Sequence, residues 1–237
     1  MAFRGRCRTR RCGRAFARRD TALVAAGALT LADVLPLVRF RAQAMQEAVP
    51  VGTGAMAAIL GLDPALVREG CIQAGQSSGE VVEPANFNDP KQTVISGSKV
   101  GVDRACEVLK GMGAKRALLL AVSAPFHSSL MKPAAERLKE RLAGVAIQKP
   151  LIPVVNNIDV AVPDEPDAIR SALYRQAFGP VRWVEVVAAL QARGLTHIFE
   201  CGPGRVLTGI TKRLDASLVG AAVFDPASLA EAKGLLS

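Results

Sequence analysis

Residues 54–98 read GAMAAILGLDPALVREGCIQAGQSSGEVVEPANFNDPKQTVISGS, and the order of signals in this stretch decides the fold. AMAAILGL is a short apolar run of strand length. Asp63 followed by Pro64 is a helix start, with a capping carboxylate before a proline whose missing N–H costs nothing in the first turn, so DPALVREGCIQAG reads as a helix. GEVVEPANFN and KQTVISG read as two strands, the second rich in β-branched residues. SKVGVDRACEVLKGMG is a second helix closed by glycines, and KRALLLAVS a fourth strand. The order βαββαβ is that of the ferredoxin-like split unit, an antiparallel four-stranded sheet covered by two helices. It is expected at residues 54–122 as a subdomain inserted into a larger α/β domain made of 21–53 and 123–237.

Working outward, the stretch from Asp20 to Glu47 has helical spacing through Leu23, Ala26 and Leu29, and again through Val34, Leu37, Val38, Ala42 and Met45, with Gly27 breaking it into two helices. Downstream, Leu130, Ala134, Leu138 and Leu142 form an i, i+4 stripe that Gly144 ends. KPLIPVVNNIDV (149–160) reads as a strand leading into a loop. Helices follow in PDEPDAIRSALYRQAFGP and VRWVEVVAALQARG, then a strand and glycine turn in THIFECGPG and a helix in RVLTGITKRL. Strands alternating with helices predict a parallel α/β layer outside the insertion.

A chain of 237 residues, half of them hydrophobic, can bury a sizeable core. The net charge of +9 is unevenly placed. Eight of the 30 basic residues and one of the 21 acidic ones fall within residues 1–20, leaving 22 basic and 20 acidic residues in a nearly neutral body. Without aromatic stacking residues or a basic fold beside the arginines, a nucleic-acid partner is not expected. Apolar runs break off well before the roughly 20 residues that span a bilayer, so no membrane helix is expected. The five cysteines follow no metal-ligand spacing and form no even disulfide framework, which points to incidental thiols in a reducing, cytoplasmic compartment.

Two histidines are present. His127, in APFHSSLMKP, stands at a loop-to-helix junction, a position that suits an acid or base and equally suits a surface or capping residue. His197, inside the apolar strand THIFE, reads as structural. Arg41 falls between Val38, Ala42 and Met45 on an apolar helix face. A guanidinium there either pairs with a carboxylate through its planar fork or snorkels to the surface. Asn86, Asn88, Gln92 and Ser96 cluster about a turn, where they serve either a ligand arm or ordinary Asx turns. CGPG lacks the glycine spacing of nucleotide-binding loops.

In this order, the segments LVRFRAQAMQEAVPVGTGAMAAILGL, NFNDPKQTVISG, SAPFHSSLMKPA, PVVNNIDV, RQAFGPVRW and ECGPGRVLTGITKR resemble the malonyl-CoA:acyl carrier protein transacylase family, over essentially everything from Thr21 onward. The resemblance implies an α/β-hydrolase-like acyltransferase core and a ping-pong malonyl transfer in fatty acid biosynthesis. A serine on a G-H-S-x-G elbow attacks the thioester, and the acyl-enzyme passes malonate to the phosphopantetheine thiol of acyl carrier protein. It assigns His127 as base and then acid, with the backbone carbonyl of Gln176 orienting its ring. Arg41 becomes the partner of the malonyl carboxylate, Phe126 the residue that crowds the substrate α-carbon, and Asn88 a substrate contact. Malonyl-CoA and acyl carrier protein are the implied partners, without metal, redox cofactor or membrane. The alternatives are an acyltransferase of a polyketide pathway and a non-catalytic remnant that binds CoA or carrier protein.

The chain departs from the family at its start. Neither the P-G-Q-G-S-Q opening nor G-H-S-x-G occurs, and Phe16 falls at the serine position, so the chain is expected to be inactive as written and to be the C-terminal three quarters of a family member. The string A-G-H-S-L-G-E-Y-T can be encoded GCC GGG CAT TCG CTC GGC GAG TAC ACG. Read from its third base, with the T of TAC deleted, it translates as R-A-F-A-R-R-D-T, the residues found at 14–21. Residues 1–20 are therefore expected to be an aberrant, frameshifted leader. An Arg-rich transit peptide is the competing reading.

Overall fold

The apolar run at 55–60 is buried on both of its faces, which is why it reads as continuous rather than alternating. The computed structural model describes residues 17–236, and the predicted leader with Phe16 lies outside them apart from residues 17–20. In strand β1 (Gly54–Leu60), Ala57 and Ile59 point to a core shared with helices α3 (Pro64–Ser78) and α4 (Lys99–Gly111), through Val67, Val102 and Leu109. Met56 and Ala58 point the other way, into a core with Ala44, Met45, Phe126 and Met131. Strand β3 (Gln92–Ser98) divides its side chains likewise, Ile95 to the first core and Val94 to the second, as the period of two in a strand requires.

With β2 (Val82–Asp89) and β4 (Arg116–Leu119), these strands form a four-stranded antiparallel sheet in the order β2-β3-β1-β4. The helix signals are realised as read. Asp63 accepts from the N–H of Ala65 at 2.9 Å, Pro64 occupies the first turn, and Gly79 ends α3 in the left-handed region with φ 69°. Gly97 is required by packing, since a Cβ there would meet the carbonyl oxygen of Val81 at 2.0 Å.

Outside the sheet, α1 (Ala17–Ala25) and α2 (Leu31–Glu47) are separated at Gly27, whose φ is 72°. They pack with α5 (Lys132–Ala143) and α6 (Pro166–Gln176) around Leu37, Leu138, Leu142, Ile169 and Leu173. Helix α7 (Trp183–Gln191) leads to β5 (His197–Cys201), α8 (Val206–Leu214), β6 (Val219–Val223) and α9 (Pro226–Gly234), with β5 and β6 paired in parallel about the α8 crossover. The molecule is thus an α/β fold. Among the described residues no helix is long and apolar enough to cross a membrane.

One sequence expectation is corrected. Residues 149–160 form no strand; they run as extended chain and turns. Pro150 and Pro153 have no N–H for a ladder. The N–H groups of Gln148 and Leu151 donate instead to the carbonyls of Ala28 and Ala26 at 2.8 and 2.7 Å, and the Asn156 side chain accepts from the N–H groups of Ile158 and Asp159 in an Asx turn. Leu151 is left 86% exposed.

Candidate active site

Three side chains chosen from sequence converge in the interior. Arg41 is on α2, Gln176 is the last residue of α6, and His127 lies between β4 and a 3-10 turn, Ser129–Met131, that leads into α5. They are 7%, 5% and 3% exposed. The Arg41 guanidinium donates from Nη2 to Oε1 of Gln176 at 2.6 Å. Asp20, at the start of α1 and also buried, lines the same cleft with Leu37, Leu138 and Leu173. Burial pulls the Arg41 pKa down to about 10, against the raising pull of the Asp20 carboxylate. The cavity beside them has a volume of about 10 Å3, room for no more than about one water.

The imidazole of His127 places Nδ1 3.0 Å from the carbonyl oxygen of Gly179. A carbonyl only accepts, so this nitrogen carries the proton and Nε2 is left as the basic atom. Burial first, and the Arg41 charge second, pull the His127 pKa down to about 3, opposed by the backbone of Gly179 and of Gln176. The ring is therefore neutral at physiological pH. Gln176 acts through two different atoms groups: its side chain holds Arg41, while its backbone acts on His127. The side-chain role is not one that sequence reasoning included, and no local signal at Gln176 announces it.

His127 itself has φ 62°, a left-handed conformation that is uncommon outside glycine and clusters at functional sites. Pro125 precedes it, packed so close to β1 that a Cβ on Gly54 would meet its Cδ at 2.3 Å. Phe126 is buried in the core between the sheet and α2, next to His127 in sequence. Asn88 is not brought to this group. It lies half-buried near the end of β2 and lines neither the Arg41 cleft nor a second, larger cleft of about 580 Å3 whose wall includes Phe87 and Gly179. His197 lies in β5, its ring stacked on Phe199.

Sequence reading passed over one string, G-Q-S-S-G at 75–79, which has the G-x-S-x-G form. It ends α3 instead of turning from strand to helix, and the Ser77 hydroxyl donates back to the Ala74 carbonyl at 3.1 Å, so it makes no nucleophile elbow.

The family profile described as "Acyl transferase domain" matches residues 20–214. The malonyl CoA-acyl carrier protein transacylase of Escherichia coli K12 is 50% identical over 212 residues, which make up 90% of this chain and 68% of that one. The crystal structure of an acyl-carrier-protein S-malonyltransferase from Burkholderia pseudomallei superposes with a TM-score of 0.87 at 64% identity, covering 90% of this chain and 68% of that one. A malonyl-transacylase solved in complex with its type II PKS acyl-carrier protein gives the same TM-score at 50% identity and the same coverage. The matched residues include the whole Arg41, His127 and Gln176 constellation, and the chain belongs to the acyl transferase family, among the malonyl CoA-acyl carrier protein transacylases.

Proposed function

We propose that this chain supplies the carboxylate-binding and acid–base parts of a malonyl transfer from malonyl-CoA to the thiol of acyl carrier protein in fatty acid biosynthesis. The observation that carries the reading is the convergence of a buried guanidinium, Arg41, held by the side chain of Gln176, with a neutral imidazole, His127, oriented by the carbonyl of Gly179. The Arg41 fork pairs with the malonyl carboxylate and so selects it over an acetyl group, which has none. Nε2 of His127 takes the proton of the attacking hydroxyl or thiol and returns it to the leaving group, while Nδ1–H keeps the ring on Gly179. Phe126 shapes the space at the substrate α-carbon; Asn88, which lines neither cleft, is given no part in the step. The chemistry needs neither metal nor redox cofactor.

The same reading takes residues 54–122 as a ferredoxin-like subdomain inserted into an α/β-hydrolase-like core of 21–53 and 123–237, supported by the strand order β2-β3-β1-β4 with two helices on one face. A cytoplasmic location goes with it, supported by the free thiols of Cys71, Cys106 and Cys201. The second reading is a polypeptide that binds CoA or carrier protein without turning over. It is favoured by phenylalanine, not serine, at position 16.

Labelled malonyl-CoA tests both. We expect the purified chain to bind it reversibly, Arg41→Ala to weaken binding at least about tenfold as befits a charge-assisted pair, and no label to survive denaturation. Unchanged binding in Arg41→Ala would remove the assignment of the carboxylate site. A denaturation-stable ester would show that another nucleophile serves and would retire the binding-only reading.

A further inference from the structure

The left-handed turn at His127 is held from several directions. The Ser128 hydroxyl donates to the carbonyl of Pro125 at 2.7 Å, the N–H of Phe126 to the carbonyl of Ala124 at 3.0 Å, and the ring is tied to Gly179. One further bond comes from the antiparallel sheet, 46 residues away in sequence: Glu83, on β2, accepts from the backbone N–H of Ser129 at 2.6 Å. Ser129 opens the 3-10 turn that runs into α5, so its N–H is one of the donors a helix start leaves without an internal partner. Ser128, in the capping position, provides no side-chain cap because its hydroxyl is used on Pro125. The cap is delivered across the fold by a side-chain oxygen, the kind of acceptor a helix start takes.

We infer that Glu83 is a positioning residue for His127: by taking the Ser129 N–H it fixes the 125–129 turn in the conformation that buries the imidazole against Gly179. This deepens the reading of His127 as the acid–base group and rests on it. Glu83 works through geometry. The causes that lower His127 are burial and Arg41, so a neutral oxygen in the same place serves as well as a charged one.

With two histidines in the chain, NMR of the ring Cε1–H signals on the full-length protein reads the effect directly, His197→Gln serving to assign them. In the wild type the His127 signal stays that of a neutral ring from pH 8 to pH 4. Glu83→Ala is expected to let the turn relax and the ring meet water, moving its midpoint up by about two pH units toward the ordinary value near 6.5. Glu83→Gln, which keeps a side-chain acceptor, is expected to restore wild-type behaviour. Ser129→Pro removes the donor instead, at a first-turn position that tolerates proline and after a residue with φ −118° and ψ 165°, which proline accepts as its predecessor. It should reproduce Glu83→Ala, and it decides the matter if that variant does not fold. A ring that stays silent in the folded Ala and Pro variants overturns the inference, as does a Gln variant that titrates like Ala. The titration does not depend on acyl transfer: a midpoint that shifts as expected keeps Glu83 as a positioning residue whatever becomes of the acid–base reading.

Discussion

Arg41 and Gln176 are joined side chain to side chain at 2.6 Å across 135 positions of sequence, and that bond ties the end of α6 to the middle of α2. Both groups are buried, so removing either leaves the other cut off from bulk water. Gln176→Leu is therefore expected to destabilise the chain by about 2 kcal/mol, a fall of roughly 4–8 °C in Tm for a chain of this size. Gln176→Glu keeps an acceptor and should lose less, while weakening the binding of any carboxylate ligand by occupying the guanidinium itself. Thermal scans with and without malonate separate the two effects; equal Tm in all three proteins would show that the bond contributes nothing.

The low pKa of His127, about 3, makes stability depend on pH in a definite direction. The unfolded chain takes up this proton near pH 6.5 and the folded chain does not until about pH 3. The contribution is therefore full above pH 6.5 and is lost progressively as pH falls from there toward 3. Between pH 7 and pH 5 the wild type should lose on the order of 2 kcal/mol more than His127→Asn, measured by urea titration at each pH. Parallel losses in the two proteins would contradict the burial of a neutral ring. Arg41→Gln, by removing the second cause, should lift the lower edge of this window.

Asp20 shares the Arg41 cleft, whose free volume is too small for a malonyl group. A ligand carboxylate must then displace that of Asp20. Asp20→Ala is expected to bind malonate about tenfold more tightly by calorimetry, the pairing free energy of a partly compensated buried charge being of order 1–2 kcal/mol. Indistinguishable affinities would mean that Asp20 does not stand in the ligand's way.

The thiols should differ in reactivity. Cys71 is buried, and burial first, with its neighbours Cys106 and Glu83, pushes its pKa up to about 12, whereas Cys201 is exposed. Peptide mapping after a short exposure of native protein to a thiol reagent is expected to find Cys201 labelled and Cys71 untouched until denaturant is added. Early labelling of Cys71 would indicate that α3 opens from the sheet far more readily than its packing implies.

The local elements were legible because their causes are local. Asp63 and Pro64 start α3, Gly27 parts α1 from α2, and the short apolar run of β1 announces a strand, while the cover on both its faces is a product of packing. The segment 149–160 misled because its valines carry a strand signal, while the destination of its N–H groups, the carbonyls of Ala26 and Ala28, is set by a distant connection. The strand β6 and the helix α9 lie outside the sequence reading, although Asp225 followed by Pro226 at the start of α9 is the same local signal as Asp63 and Pro64 at α3.

The residue types of the site could likewise be read from the sequence: histidine at a loop–helix junction, arginine on an apolar helix face, and a family resemblance that placed both. What only the tertiary structure decided is how they meet. Hydrogen bonds and charges act over a few ångströms regardless of separation along the chain. The joining of Arg41 to Gln176, the hold of Gly179 on His127 and the reach of Glu83 to Ser129 therefore exist only once α2, α6 and the sheet have packed against one another.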